Sequence, residues 1–234
     1  MKKLLIYFIL ILFIGASLNA SVILGSFELV KGSVKLKSEG SLKRSNATKG
    51  MDVKKGDLIS SLKEANAVIK LKDGSTLILD ESSTLHFESD AQVLQEDGKI
   101  YYSITSRDAR NALKVRTPFA IIGIKGTTFI VDTNKTSSVK LKEGLVGIQS
   151  LKEEFELYRK EVEAQYNDYL TEQEKEYQKF LSEQNKGAAL MTKEFDLEEK
   201  NIITFDGQKV SESAWTKEDD AEFERFEALA ESLK

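Results

Sequence analysis

The sequence of 234 residues contains no cysteine, one histidine (His86) and one proline (Pro118). Without cysteine the chain forms no disulfide, no thiolate zinc site and no cysteine nucleophile. A metal or catalytic site that uses imidazole would depend on His86 alone, which we expect to lie at or near the surface. One proline is too few for a proline-rich linker. We therefore expect no metal site and no cofactor.

The sequence also lacks an excess of positive charge. It has 34 Lys and Arg residues against 38 Asp and Glu residues, which gives a formal net charge of -4. Loss of Lys2 and Lys3 with the first 20 residues would make the chain more acidic still. Proteins that bind nucleic acids or anionic membranes usually present a basic patch. The composition therefore argues against both kinds of partner.

Long hydrophobic runs are absent except near the N-terminus. An apolar run at residues 4–14 follows Lys2 and Lys3, and the small residue Ala20 stands at a suitable cleavage position. This three-part pattern is typical of a secretory signal peptide. The run is shorter than the roughly 20 apolar residues that a membrane-spanning helix needs. We predict a signal peptide at 1–20, cleaved after Ala20, and a periplasmic or secreted mature chain with no transmembrane segment. The alternative is an uncleaved N-terminal anchor.

Residues 22–150 contain short alternating segments that are separated by glycine turns. At 33–37, Val34 and Leu36 alternate with lysines, which is typical of a half-buried strand. Gly74 lies between two such segments and predicts a β-hairpin, because glycine accepts the positive φ of a tight turn. Gly144 lies between segments 139–143 and 145–148 and predicts a second hairpin of the same design. We predict a mainly β body, either a β-sandwich or a β-solenoid.

Five segments of this body resemble, in order, the landmarks of the FecR-domain family. They are residues 32–36, 55–57, 73–75, 115–129 and 143–148. The resemblance covers about residues 25–150 and implies a periplasmic all-β module. In the best-known members, this module relays a signal from an outer-membrane iron-siderophore receptor to a cytoplasmic anti-sigma domain. No cytoplasmic domain precedes the hydrophobic segment here, so we expect the module to be shared rather than the complete relay.

The most specific landmark is the run from Thr117 to Phe129, and its residues are predicted to have structural roles. Thr117 and Pro118 favour an extended strand start, because proline fixes φ and biases its predecessor toward β. Glycines in the run allow close backbone approach or a bulge. The alternative is an anion-binding turn at 125–127, although the glycine spacing of a phosphate loop is missing. The motif residues are Thr117, Pro118, Ala120, Gly123, Lys125, Gly126, Thr127 and Phe129.

Asn134 is a candidate site of N-glycosylation. Asn134 and Thr136 form an Asn-x-Thr sequon, and Asp132 stands two positions before the asparagine. This extended form is the acceptor of some bacterial periplasmic oligosaccharyltransferases, and an exposed turn suits the modification. The alternative is a chance match, because Asp and Asn are common in turns.

The composition changes after residue 150. Ser150 and Glu153 form the pattern of a capping box, and apolar residues then recur at steps of three and four up to residue 184. We predict a helical arm at 151–200, made of a long helix at 151–184 and a second helix at 188–200. The long helix either packs on the β body, or it forms a coiled coil by self-association or with an envelope protein. Residues 201–234 are predicted to form a hairpin and a terminal helix that begins after Thr216.

These observations predict a non-enzymatic, extracytoplasmic FecR-domain protein that acts as a protein-interaction or scaffold module. One alternative is a periplasmic signal-transduction regulator related to iron-siderophore sensing. A second alternative is a cell-wall or polysaccharide enzyme that uses carboxylates only, since the chain has 38 of them. No residue is assigned a catalytic role.

Overall fold

The computed structural model describes residues 21–105, 113–124, 126–159 and 189–232. The predicted signal peptide at 1–20 lies outside these ranges. Within them the chain forms twenty strands and one helix. The strands are β1 (Ile23–Lys31), β2 (Val34–Lys37), β3 (Ser45–Asn46), β4 (Asp52–Lys54), β5 (Leu58–Ser61), β6 (Asn66–Leu71), β7 (Thr76–Leu79), β8 (Thr84–Phe87), β9 (Gln92–Asp97), β10 (Lys99–Ser103), β11 (Lys114–Arg116), β12 (Ala120–Ile124), β13 (Thr128–Asp132), β14 (Ser137–Glu143), β15 (Leu145–Ser150), β16 (Phe155–Tyr158), β17 (Leu190–Thr192), β18 (Glu194–Glu198), β19 (Asn201–Asp206) and β20 (Lys209–Ala214), and the helix is α1 (Lys217–Glu231).

The strands form two large sheets. The larger sheet has the order β17-β16-β20-β19-β14-β13-β10-β7-β6-β1-β4, and the smaller one has the order β18-β15-β12-β11-β9-β8-β5-β2-β3. The chain moves repeatedly from one sheet to the other and advances along both in nearly the same order. The prediction of a mainly β body is therefore confirmed, in the form of two sheets around one core.

One hydrophobic core fills the space between the sheets, and the alternation of side chains along each strand builds it. In β12, Ala120, Ile122 and Ile124 are buried, whereas Ile121 and Gly123 are partly exposed. Val34 and Leu36 of β2 are buried in the same way, as their alternation predicts. Full burial of an aliphatic side chain contributes about 1.5–3 kcal/mol, so this shared core is the main source of stability.

The hairpin predicted at Gly74 is confirmed. β6 and β7 pair antiparallel, and Gly74 has φ +88° in the turn between them. The hairpin predicted at Gly144 is wrong, because β14 belongs to the larger sheet and β15 to the smaller one. A Cβ at Gly144 would lie 2.7 Å from Thr127 Cγ2, and φ there is +94°. Tight packing at this glycine forms a corner where the chain crosses between the sheets.

The long helix predicted from residue 151 is wrong in the part that the structure describes. Residues 155–158 are strand β16, with Phe155 and Leu157 buried on one face. Ser150 does not cap a helix. Its hydroxyl accepts a hydrogen bond from the Lys152 amide (3.3 Å) and donates to the Glu153 carbonyl oxygen in a turn. Residues 160–188, which hold most of the predicted helix, lie outside the described ranges, and the described ends give no support to a coiled coil.

The helix predicted at 188–200 is also wrong in its described part. Strands β17 and β18 occupy this segment and belong to different sheets. In β18, Phe195 and Leu197 are buried while the acidic residues between and beside them are exposed. This is a period of two, and pairing with β15 stabilises it. β19 and β14 pair in the other sheet, so both sheets continue past residue 150.

The C-terminal hairpin and helix form as their turn and cap residues predict. β19 and β20 pair antiparallel around Gly207, which has φ +62°. At the start of α1, the Asp219 carboxylate accepts hydrogen bonds from the Thr216 amide (2.8 Å) and the Thr216 hydroxyl (2.7 Å). Trp215 packs on Phe223, with ring centroids 5.3 Å apart. Among the described residues, no helix has the length and apolar character needed to cross a membrane.

A chain of residues 21–150 is expected to lose much of its stability. The truncation removes β18 and β19, which cover the edges of β15 and β14, together with buried Phe195, Leu197 and Ile203. At about 1.5–3 kcal/mol for each buried side chain, the loss is several kcal/mol. Urea unfolding followed by circular dichroism measures it. A chain that ends at Ala214 is the control, because it keeps all twenty strands. An unchanged urea midpoint for the shorter chain would contradict the shared core.

Candidate protein-binding surface

The start of the predicted motif is a tight turn that one threonine side chain holds. Thr117 Oγ1 accepts hydrogen bonds from the amides of Ala120 (2.9 Å) and Phe119 (3.2 Å), and it donates to the Ala120 carbonyl oxygen (2.9 Å). Thr117 and Ala120 are buried, and Pro118 is exposed between them. Thr117 therefore fixes the turn that precedes β12, and the structural role of the motif residues stays a prediction.

The second half of the motif forms the other side of the Gly144 corner. Gly126 has φ +62°, and its carbonyl oxygen lies 2.8 Å from the position of a Cβ at Gly144. Thr127 is buried, and its Oγ1 has no hydrogen-bond partner in the part of the chain that the structure describes. Gly123 pairs with Gly147 on the partly exposed face of the smaller sheet. Lys125 lies outside the described residues, so an anion turn at 125–127 stays a prediction.

Phe129, the last motif residue, belongs to a buried network that joins the two sheets. Its ring stacks on Tyr102 at 4.8 Å between centroids. The Tyr102 hydroxyl donates to Gln95 Oε1 (2.9 Å), and Gln95 Nε2 donates to the carbonyl oxygens of Gly98 (2.9 Å) and Val131 (3.0 Å). Burial raises the pKa of the Tyr102 phenol well above its ordinary value. The hydroxyl therefore stays protonated and acts as a fixed donor.

Asp57 and His86 are two titratable residues of the β body. Asp57 is buried, and its carboxylate accepts a hydrogen bond from the Lys54 amide (2.8 Å). Burial raises the pKa of Asp57. His86 is partly exposed on β8, opposite in direction to buried Leu85 and Phe87. Within the described ranges no group of three His, Cys, Asp or Glu residues is arranged to hold a metal ion.

A cavity of about 520 Å³ lies at one end of the sandwich and is lined mostly by apolar side chains, with Asp73 and Asp90 at its edge. The Asp73 carboxylate accepts hydrogen bonds from the Ser75 amide (3.0 Å) and hydroxyl (2.8 Å). These bonds fix the β6–β7 turn, which is a common role of Asp in turns.

Asn134 lies where its sequon predicts, in the exposed connection between β13 and β14. Asp132 Oδ1 accepts hydrogen bonds from both the backbone amide (2.9 Å) and the side-chain amide (2.8 Å) of Asn134. The acidic residue of the sequon therefore also stabilises the turn. Glycosylation of Asn134 stays a prediction.

The outer face of the larger sheet carries an apolar row that runs across the strands. Val68 pairs with Ile78, Ile78 with Tyr101, and Tyr101 with Ile130. All four residues are buried, although they point away from the main core. Sequence analysis missed this row. The signal was present in the unbroken apolar runs 67–69, 77–79 and 129–131, because such runs are typical of strands buried on both faces.

Helix α1 covers this row with two phenylalanines. Phe223 and Phe226 are fully buried against the row, and Trp215 and Leu229 pack beside them. Tyr101 stacks on Phe226 at 5.6 Å and meets Phe223 edge-on at 6.0 Å. Burial raises the pKa of the Tyr101 phenol to about 12. The helix therefore sits on a small second core of its own.

Ion pairs surround this second core. Lys140 Nζ donates to Asp219 Oδ1 (2.6 Å) and Glu222 Oε2 (2.8 Å), and Lys99 Nζ pairs with Glu222 as well. These groups are largely shielded from water, with side-chain exposures of 21% for Lys140 and 6% for Asp219. Two further pairs complete the rim: Lys142–Glu227 (2.5 Å) and Arg225–Asp80 (2.6 Å). Lys99, Lys140 and Lys142 of the sheet thus meet carboxylates of the helix, whereas the signs are reversed in the Arg225–Asp80 pair.

The ion pairs determine how the carboxyl groups titrate. Burial alone would raise the pKa values of Asp219 and Glu222. Hydrogen bonds from Lys140, together with those from Thr216 to Asp219 and from Lys99 to Glu222, outweigh burial and lower both pKa values. Burial of Asp80 is likewise outweighed by Arg225, and the pKa of Asp80 is lowered. All three carboxylates are therefore charged at neutral pH, and they stabilise the docked helix there.

The comparison with protein families places a known domain in the centre of this body. Residues 57–147 match the family model described as FecR protein. The match covers strands β5 to β14 and the start of β15, and it includes the whole motif from Thr117 to Phe129. The chain therefore contains a FecR domain at residues 57–147, as the sequence landmarks within that range predicted.

Two crystal structures of a proposed anti-sigma factor from Parabacteroides distasonis are similar to this chain. Each is 13% identical, with a TM-score of 0.46 over 70% of this chain. The chain spans 62% of the length of that protein, which is less than two thirds. No curated protein matches the sequence.

Two threonine-to-valine substitutions in the motif are expected to differ sharply. Thr117→Val removes the acceptor for the Ala120 amide and is expected to cost about 1–3 kcal/mol of unfolding free energy. Thr127→Val removes a hydroxyl with no partner among the described residues, and we expect no loss or a small gain. Urea unfolding of both variants measures the difference, and Thr117→Ser, which keeps the hydroxyl, is the control. Equal stability of the two valine variants would contradict the structural role of Thr117.

Acid is expected to release α1 from the sheet. Because the folded-state pKa values of Asp80, Asp219 and Glu222 are lowered, their contribution is complete above about pH 5 and is lost below about pH 4. Trp215 is the only tryptophan and packs on Phe223, so its fluorescence reports release. Lys140→Gln removes the group that lowers two of these pKa values, and the pH midpoint is expected to move toward neutral.

The control for this titration is Lys200→Gln. Lys200 pairs with Asp220 at 3.0 Å, but both side chains are about half exposed, and such pairs contribute little. The pH midpoint of α1 release in the Lys200→Gln variant is expected to match that of the wild type. Identical midpoints for wild type and Lys140→Gln would show that the shielded pairs do not hold the helix.

Proposed function

We propose that this protein is a non-enzymatic, extracytoplasmic regulator that binds another protein of the cell envelope and passes on a signal. The observation that carries the proposal is the FecR match at residues 57–147, which forms the middle of both sheets. A FecR domain implies signal transduction through protein contacts in the family that the sequence resembles. The envelope location rests on the predicted signal peptide and on that family.

The geometry of the motif supports a regulatory rather than a catalytic role. The motif contributes a turn at Thr117 and buried packing at Ala120 and Phe129. The nearby hydrogen bond between Tyr102 and Gln95 lies inside the core. A catalytic site needs reactive groups that reach substrate. A packed module of this kind is suited to serve as a rigid support for a binding surface.

A scaffold function is the second candidate, and one surface favours it. β17 is an edge strand of the larger sheet, and its Leu190 and Met191 are 48% and 53% exposed. Apolar edge strands accept a further strand from another protein. In this function the protein would hold an envelope assembly together without a transcriptional output.

Gene deletion in the native host tests the regulatory function. We expect deletion to change the transcription of a limited set of genes, measured by RNA sequencing, and we expect the full-length chain to restore it. A chain without residues 1–20 is the control, because it should stay in the cytoplasm and fail to restore the transcription of these genes. Unchanged transcription, together with loss of a cross-linked envelope complex, would favour the scaffold function and contradict the regulator.

A further inference from the structure

The surface under α1 has the features of a helix-binding site. Four apolar residues on four neighbouring strands form its floor: Val68, Ile78, Tyr101 and Ile130. The whole floor lies in the part of the chain that matches the FecR family, whereas α1 lies outside the match. The floor thus belongs to the domain, and the helix that covers it is an addition to that domain.

The contacts between α1 and the sheet are made by side chains. Each sheet strand has its backbone partners within the sheets. Within residues 21–105, 113–124, 126–159 and 189–232, the hydrogen bonds between α1 and the sheet join charged side chains. The second core contains six buried residues and is separate from the main core. Release of the helix therefore leaves the ladders of both sheets complete.

Charge determines what kind of helix fits this surface. Lys99, Lys140 and Lys142 line one side of the floor and pair with acidic residues of α1. Two phenylalanines three positions apart, Phe223 and Phe226, fill the apolar floor. Residues at i and i+3 lie on one face of a helix, so this pattern is a compact recognition element.

We propose that this face is a docking site for an acidic amphipathic helix of a partner protein, and that α1 occupies it in the absence of the partner. The partner helix would carry two aromatic residues three positions apart, flanked by carboxylates in the positions of Asp219, Glu222 and Glu227. This inference rests on the proposed function and names its binding surface. α1 acts as an internal competitor, so the partner binds only when it displaces α1.

Peptide binding to a vacated surface tests the docking site. The mature chain with Phe223→Ser and Phe226→Ser should release α1 and keep both sheets, which circular dichroism and urea unfolding verify. A fluorescein-labelled peptide of residues 215–232 is the first probe. A second probe places the two phenylalanines and the three carboxylates on an alanine-rich helix of otherwise unrelated sequence. We expect both to bind the vacated chain at least tenfold more tightly than the wild type in fluorescence anisotropy.

Two controls establish specificity. The 215–232 peptide with both phenylalanines replaced by serine is expected not to bind. Lys140→Glu in the vacated chain is expected to weaken the binding of both probes at least tenfold, because it reverses the charge that pairs with Asp219 and Glu222. A folded, vacated chain that binds neither probe would overturn the proposal. Binding of the first probe alone would show that the site accepts only the sequence of α1. This result would also overturn the proposal that a partner helix docks there.

A measurement on the wild-type chain keeps the proposal falsifiable if the vacated variant does not fold. In hydrogen–deuterium exchange, the amides of α1 are expected to exchange faster than those of β6, β7, β10 and β13 beneath it. Exchange of α1 only together with these strands would show that the helix is part of the core, and would overturn the proposal. A wild-type dimer whose dissociation changes Trp215 fluorescence would also overturn it, in favour of a second copy of this chain as the occupant.

These measurements do not depend on transcription. Failure of the probes to bind, with a transcriptional effect of deletion, would reject this surface and leave the regulatory function standing. Binding of both probes, with unchanged transcription, would reject the regulatory function and leave the surface.

Discussion

The structure depends on one constraint, which is that the strands of both sheets must bury their alternate side chains against each other. A strand has a period of two, so a slip of one residue would turn every core side chain toward water. In β12, Ala120, Ile122 and Ile124 fix the register in this way. The tight corners follow from the same constraint. At Gly144 the chain must reach the opposite sheet within one residue, and only a glycine fits against Thr127 at that distance.

The apolar row on the outer face of the larger sheet is the exception to this alternation. Val68, Ile78, Tyr101 and Ile130 point away from the shared core, and without a cover they would expose a continuous apolar surface to water. Exposed patches of this kind are typical of binding sites. Here a helix supplies the cover from outside the FecR-matched segment, and a rim of ion pairs aligns it. The same row therefore links the packing of the fold to the proposed binding of a partner.

The sequence predicted those features that depend on neighbouring residues. The Gly74 hairpin, the cap of α1 at Thr216 and the motif from Thr117 to Phe129 each carry their signal within a few positions. The two helices predicted at 151–184 and 188–200 were wrong in their described parts. Phe155 and Leu157, and likewise Phe195 and Leu197, have a period of two that is only two buried residues long. Pairing with distant strands then decided between helix and strand. The apolar row under α1 was missed for a related reason, since each of its four strands contributes one residue and only the register brings these residues together.

The ion pairs around α1 supply specificity in addition to the stabilisation that they give at neutral pH. Removal of charged groups from water costs energy, and a shielded pair often does no better than an apolar pair of the same size. Lys140 is 21% exposed and Asp219 only 6%, so this cost is present here. An apolar rim would bind any helix with an apolar face, and no such helix would dissociate readily. The three rim lysines instead disfavour a basic residue at the positions of Asp219, Glu222 and Glu227. Together with Asp80, which pairs with Arg225, they fix the orientation of the helix, and the pairs weaken when the carboxylates are protonated. These are the properties required of a surface that must exchange one helix for another.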